Sequence, residues 1–217
     1  MKVKKPNITV NSESITDLLP VLTTAIDEEC DIKEQEIKNV RLHQVDFARV
    51  GFNSVIFDNC KMTECDFSRC AFIDVQFKNC DFSNSRFDEA YFKYCEFVSV
   101  KWMGCRFPES RLMHVTAAQC NFQYVNFDHS VFNYIQAKEC DFGRSTLSAC
   151  TFKEFSVKDS RFVDTNLFQT RLRGMDFTQC ELAGITVSDT NTELEGAIVT
   201  SWQAVELARL LKVVIKE

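Results

Sequence analysis

The sequence predicts an all-β solenoid, and three observations predict it. Every cysteine of the chain (Cys30, Cys60, Cys65, Cys70, Cys80, Cys95, Cys105, Cys120, Cys140, Cys150 and Cys180) stands at a multiple of five. Two residues after each multiple of five, from Leu42 to Val187, the side chain is apolar without interruption, and this series takes most of the chain's 20 Phe. A longer beat lies over the short one: Ala117, Ala137 and Val157 are unusually small for the series, while Val115, Ile135 and Phe155 beside them grow in compensation. Close packing demands such an exchange of volume within one layer of a wall, so the layers recur every 20 residues.

The spacing dictates the local geometry. Inward side chains two residues apart require extended chain. A repeat of five fits neither a helix nor an uninterrupted strand, so each unit is a short extended piece followed by a corner. Corners in one sense wind a coil, and stacked coils bury a continuous core. Thirty units give about seven and a half coils, a rod about 36 Å long at the ~4.8 Å spacing of neighbouring strands. Cysteine is a small, readily buried hydrophobe, and it alternates with Val, Ala, Ser and Thr at the compact inward position. Zinc sites place cysteines two to four residues apart, and stacked parallel Cβ vectors hold sulfurs apart. The thiols are therefore read as packing groups in a reducing compartment.

Runs such as CDFSR, CDFSN, VNFDH, CDFGR and MDFTQ resemble the consensus of the pentapeptide-repeat family. The resemblance covers residues 42–187 and implies a right-handed quadrilateral β-helix with four units per coil.

Three segments follow: an N-terminal cap over 1–29, the β-helix over 30–190, and a C-terminal cap or dimerisation helix over 191–217. In the first, Ile15, Leu18, Leu19, Leu22, Ala25 and Ile26 have helical spacing, interrupted by Pro20. In the last, Thr200 and Gln203 form a capping box, and Val213–Ile215 reads as a short strand. The helix carries more apolar surface than one cap uses, which points to a second burial partner; the family resemblance implies a tail-to-tail C2 homodimer, with Trp202, Val205, Leu207, Leu210, Leu211, Val213 and Ile215 as its expected interface.

No catalytic, cofactor-binding or metal motif is present, and His43, His114 and His129 fall in outward slots away from one another. A packed rod also offers no cleft for chemistry, so no enzyme activity and no cofactor are expected. Function is assigned to the outer walls. One wall gathers Tyr91, Lys93, Tyr94, Arg111, Met113, His114, Tyr134, Lys153, Arg171 and Arg173, residue types enriched in interface cores. The opposite wall carries Asp46, Asp66, Asp88, Glu89, Glu109 and Asp128, interleaved with arginines. The first reading is a non-catalytic scaffold that binds an unidentified protein. The resemblance supplies a second, since Qnr-type members imitate duplex DNA and bind DNA gyrase or topoisomerase IV. Against it, residues 41–190 hold 19 acids and 17 bases, far from the charge density of DNA. A third reading, single-stranded nucleic acid on the Tyr/Arg wall, is opposed by the net charge of −6. No apolar run approaches the ~18 residues of a membrane span and no apolar signal core follows MKVKKPNITV. A cytoplasmic protein with no membrane partner is expected.

Overall fold

The corner that the five-beat requires is a left-handed residue. In the computed structural model, which describes residues 2–11 and 13–215, every fifth residue from Glu29 to Gly184 except Gln179 has a φ between +49° and +80°. L-residues adopt this region at a cost of about 1–2 kcal/mol, and β-branched ones at a higher cost. No Val, Ile or Thr occupies any of these corners. The backbone offsets the cost by pairing: the corner N–H donates to the next coil, as Arg69 does to Asp88 (2.8 Å), Glu89 to Pro108 (2.9 Å) and Glu109 to Asp128 (2.8 Å).

Successive coils are parallel and in register: Lys61 bridges Asp81, Asp81 bridges Lys101 and Lys101 bridges Asn121. On two sides the corner is closed by its own hydrogen bond, as from Val50 N–H to Phe47 O (3.0 Å) and Cys105 N–H to Trp102 O (3.0 Å). The other two sides merge into one bent strand per coil: Gly51–Asp58, Ala71–Lys78, Tyr91–Val98, Arg111–Ala118, Val131–Lys138 and Thr151–Lys158. These long strands form a continuous parallel wall in that order.

Inside, the bulky side chains stack coil on coil. Phe47–Phe67, Phe67–Phe87 and Phe87–Phe107 have ring centroids 4.6, 4.9 and 4.7 Å apart and lie within 7° of parallel. Trp102 sits in the Phe82 column at 4.9 Å. Each buried Phe contributes about 2–3 kcal/mol, and each well-placed ring pair about 0.5–1.5 more. Where the compact residue is polar, it also makes a hydrogen bond. Its hydroxyl or thiol donates to the carbonyl of a bulky residue one coil below: Ser110 to Phe87 (2.7 Å), Cys105 to Phe82 (2.9 Å), Cys70 to Phe47 (2.9 Å), Thr165 to Phe142 (2.9 Å). Cys, Ser and Thr interchange there because each is small and each can donate. All eleven cysteines are free thiols.

Helix α1 (Leu19–Asp27) covers the lower end with Leu18, Leu22 and Ala25 buried. Pro20 does not interrupt it as the sequence reading expected. It stands in the first turn, where its missing N–H has no helical partner to lose. Ile15 lies outside the helix, in the short strand Ser14–Ile15 that pairs with Glu36–Ile37. At the upper end helix α2 (Ser201–Ala208) starts with the expected capping box. Gln203 also donates to Phe177 O (2.8 Å) and Cys180 O (2.7 Å), plugging the last coil. The strand expected at Val213–Ile215 is not formed. Lys212 turns left-handed after the 3-10 turn Arg209–Leu211, and the three apolar residues that follow are exposed.

The long-strand wall opens near the top. Thr151 N–H reaches Ser130 O (3.0 Å), as Val131 reaches Ser110 (2.9 Å). Yet among the described residues no backbone hydrogen bond joins 150–159 to 171–178. Residues 171–178 pair upward instead, Leu172 N–H with Glu193 O and Phe177 N–H with Ile198 O (2.9 Å each). Packing volume explains the split. Phe155 stacks on Phe132 (5.5 Å, 2°) and turns Phe152 edge-on at 74°. The next coil then presents Met175 and Phe177, both bulky, with no compensating small residue.

Two predictions follow from the corners and thiols. Ala149, left-handed at φ +51°, gains about 0.5–1 kcal/mol when replaced by Gly and loses about 1–2 when replaced by Val, read by urea unfolding. Burial pushes Cys95 and Cys150 up to about 12 from the ordinary 9.0. The unfolded chain therefore releases thiol protons that the folded chain keeps. Stability is intact below about pH 9 and falls as pH climbs toward 12; replacing Cys95 and Cys150 by Ser flattens that decline in a melting-temperature series.

Candidate functional site

Apart from Arg171 and Arg173, the residues proposed from sequence as an interaction face lie on the first half of the bent strands and their corners, and the structure divides the set into three groups. Tyr94, His114 and Tyr134 are left-handed corner residues (φ +55°, +54°, +59°) one coil apart. Their rings form a ladder along the edge of the rod, Tyr94–His114 at 5.4 Å and His114–Tyr134 at 4.6 Å. Lys93 lies over the Tyr94 ring at 5.0 Å, a cation–π contact. Tyr91, Arg111 and Met113 line a shallow groove of about 520 Å³ together with Leu112, Val131 and Asn133. Arg171 and Arg173 stand higher, at the wall opening, with Lys153 exposed on the strand below them.

The sequence reading missed what covers the ladder. Residues 4–11 run lengthwise across the coils and bond to successive corners: Asn11 N–H to Glu34 O (2.9 Å), Thr9 N–H to Ser54 Oγ (2.7 Å), Asn7 N–H to Asp74 Oδ1 (2.7 Å) and Lys4 N–H to His114 Nδ1 (3.3 Å). Lys4 also reaches over the Tyr94 ring at 5.9 Å. Val3, Ile8 and Val10 are half-buried. The available signal was weak: a Lys-rich segment with spaced apolar residues reads equally as a free tail.

His114 is held below its ordinary 6.5 by burial first, then by the positive charges of Lys4 and Lys93. The neutral ring accepts from the arm at Nδ1; the protonated ring cannot and repels Lys4. The contact is thus present above about pH 6.5 and lost as pH falls through the depressed value. The arm is expected to become protease-sensitive on mild acidification in the native chain but not in a His114→Phe variant.

The acidic wall is neutralised where it is densest. Arg69 pairs with Glu89 (2.8 Å), Arg86 with Asp66 (3.6 Å) and Asp88 (3.1 Å), and Arg106 with Asp88 (3.3 Å). Asp46 and Asp66 accept the N–H of Ala48 and Ser68 (2.8 Å each), closing their turns. Glu109 is a corner residue and Asp128 carries its backbone partner. At the upper end Trp202 is 83% exposed, Val205, Leu211, Val213 and Ile215 are exposed, and Leu207 and Leu210 pack against the core. Among the described residues no three His, Cys, Asp or Glu side chains converge as metal ligands, and no helix is long and apolar enough to cross a membrane.

The repeat is recognised independently. A family model described as the pentapeptide repeat region matches residues 70–141. That stretch, a third of the chain, is a pentapeptide-repeat region. Its fold is similar to that of a trypsin-treated variant of QnrB1, a plasmid-mediated fluoroquinolone resistance protein, with a TM-score of 0.52 and 19% identity over 84% of this chain and 100% of that one. HetL, a pentapeptide-repeat protein involved in heterocyst differentiation regulation in the cyanobacterium Nostoc, also matches, at TM-score 0.38 and 11% identity over 87% of this chain and 98% of that one. No curated protein matches the chain.

Proposed function

We propose that the protein is a non-catalytic scaffold that binds a protein partner through its outer walls. The observation that carries this reading is the Tyr94–His114–Tyr134 ladder, a half-buried run of stacked rings beside Arg111 and Met113 on a rigid wall. Large, stiff aromatic groups give up little entropy on contact and dominate binding surfaces. The chain's own arm already uses this surface, which supports its competence to hold extended peptide. The apolar surface around Trp202 supports a homodimer built end to end through α2. Replacing Tyr94, Arg111 and Tyr134 together by Ala is expected to abolish capture of the partner in pull-down while leaving the melting temperature within a few degrees. Unchanged capture contradicts the reading. Trp202→Glu is expected to convert a dimer to a monomer in sedimentation.

A second reading, binding of DNA gyrase or topoisomerase IV by imitation of duplex DNA, is favoured by the rod and its likeness to QnrB1. The arginine pairing along Asp66, Asp88 and Glu89 weighs against it. Gyrase supercoiling with and without ciprofloxacin separates the two: protection or inhibition at micromolar protein supports mimicry, and neither supports the scaffold alone.

A further inference from the structure

We propose that the opening between Thr151–Lys158 and residues 171–178 is a docking slot for an extended acidic peptide, which adds to the wall as a strand. The proposal deepens the scaffold reading and rests on it, naming the partner chemistry for the upper part of the same wall.

The backbone makes the first argument. At every lower coil the corner before the compact residue donates upward, as Gln119 does to Lys138 O and Glu139 to Lys158 O (3.0 Å each). Periodicity therefore aims the Asp159 N–H, the Glu154 N–H and the Cys150 carbonyl into the gap, where no described residue meets them. Both ends of the rod are covered, one by α1 and the other by α2 with Gln203. Among the described residues this edge faces a gap inside the rod, and an open edge is a template for an incoming strand. Gly174 shows the same separation in another way. A Cβ at Gly104 or Gly184 would collide with Asn84 or Asp164 of the coil below, whereas nothing lies within 4 Å of one at Gly174.

Side chains state the ligand's chemistry. The opening is a cleft of about 320 Å³ with Phe152, Phe155 and Met175 in its floor. Arg171 and Arg173 stand two residues apart on the upper lip, and Lys153 is on the lower strand; Glu154 is the acid facing them. A strand alternates its side chains between faces. One face of a bound strand would set carboxylates against the guanidinium groups, which favour bidentate pairing, and the other would set apolar groups on Phe152 and Phe155. The edge requires extended backbone, the floor requires an apolar residue, and the rim requires acids.

The test uses the full chain and a fluorescein-labelled peptide of alternating Glu and Val, seven residues long. Controls are the Lys–Val counterpart, the Glu–Val peptide with a central Pro, and oligothymidylate. The Glu–Val peptide is expected to bind, to weaken at least about tenfold with R171E/R173E, whose sites are exposed, and to weaken comparably with the central Pro. Amide exchange supplies a readout independent of the variants. Glu154 and Asp159 should exchange fast in the free chain and slow with peptide, while Tyr134 and Glu139 stay slow in both. The proposal is overturned by equal protection of Glu154 and Tyr134 in the free chain, or by no binding at about millimolar peptide. Equal binding of the Lys–Val, Pro-containing or oligothymidylate probes also overturns it. The Tyr94/Arg111/Tyr134 variant keeps peptide binding in either case, so failure of the ladder and failure of the slot are read separately.

Discussion

The structure depends on a left-handed residue at every fifth position. Extended chain alone would run on as a strand; a residue at φ near +55° bends it, and its own N–H is one of the groups that reach the next coil. The strain of the corner and the hydrogen bond that offsets it are thus made at the same residue. Because the corner recurs strictly, bulky side chains from neighbouring coils arrive one above another, and the parallel Phe stacks are a consequence of the backbone period. Exterior chemistry is periodic for the same reason: Tyr94, His114 and Tyr134 stack because they are the same corner of three coils.

Much of this was legible in the sequence. The five-beat, the inward Phe columns, the 20-residue layer and the Thr200–Gln203 box all follow from side-chain size and spacing. The left-handed corner also left a trace, the absence of β-branched residues at the positions before the multiples of five between 29 and 184. Hydrogen bonding at the compact position left another, the preference for Cys, Ser and Thr over Ala. Pro20 was misread because a proline interrupts or begins a helix according to where the helix starts, and Leu18 gives no capping signal. Val213–Ile215 has strand composition but follows the left-handed Lys212, and composition alone supplies no pairing edge.

The candidate site was legible as a set of residue types but not as an arrangement. Period placed Tyr91 to Arg173 on one wall; the structure puts Tyr91 to Lys153 on the bent strands and their corners, and Arg171 and Arg173 on the coil that separates from them. What period could not supply is the long-range contact of residues 4–11 with corners up to 110 positions away, or the consequence of overfilling one layer. Phe155 beside Val157 reads as an exchange of volume; Met175 beside Phe177 offers none, and the wall parts between them. Exposed backbone and a basic rim therefore appear where the repeat is locally too bulky to close.

The most direct measurement is urea unfolding of two deletion variants. Excising residues 91–110 removes one whole turn and rejoins Ala90 to Arg111 in phase; excising 91–108 removes nearly the same mass but breaks the phase. The in-phase variant is predicted to unfold in one cooperative transition with native-like far-ultraviolet dichroism, and the out-of-phase variant to lack that transition. Equal folding of both would contradict the dependence of the rod on a strict left-handed corner.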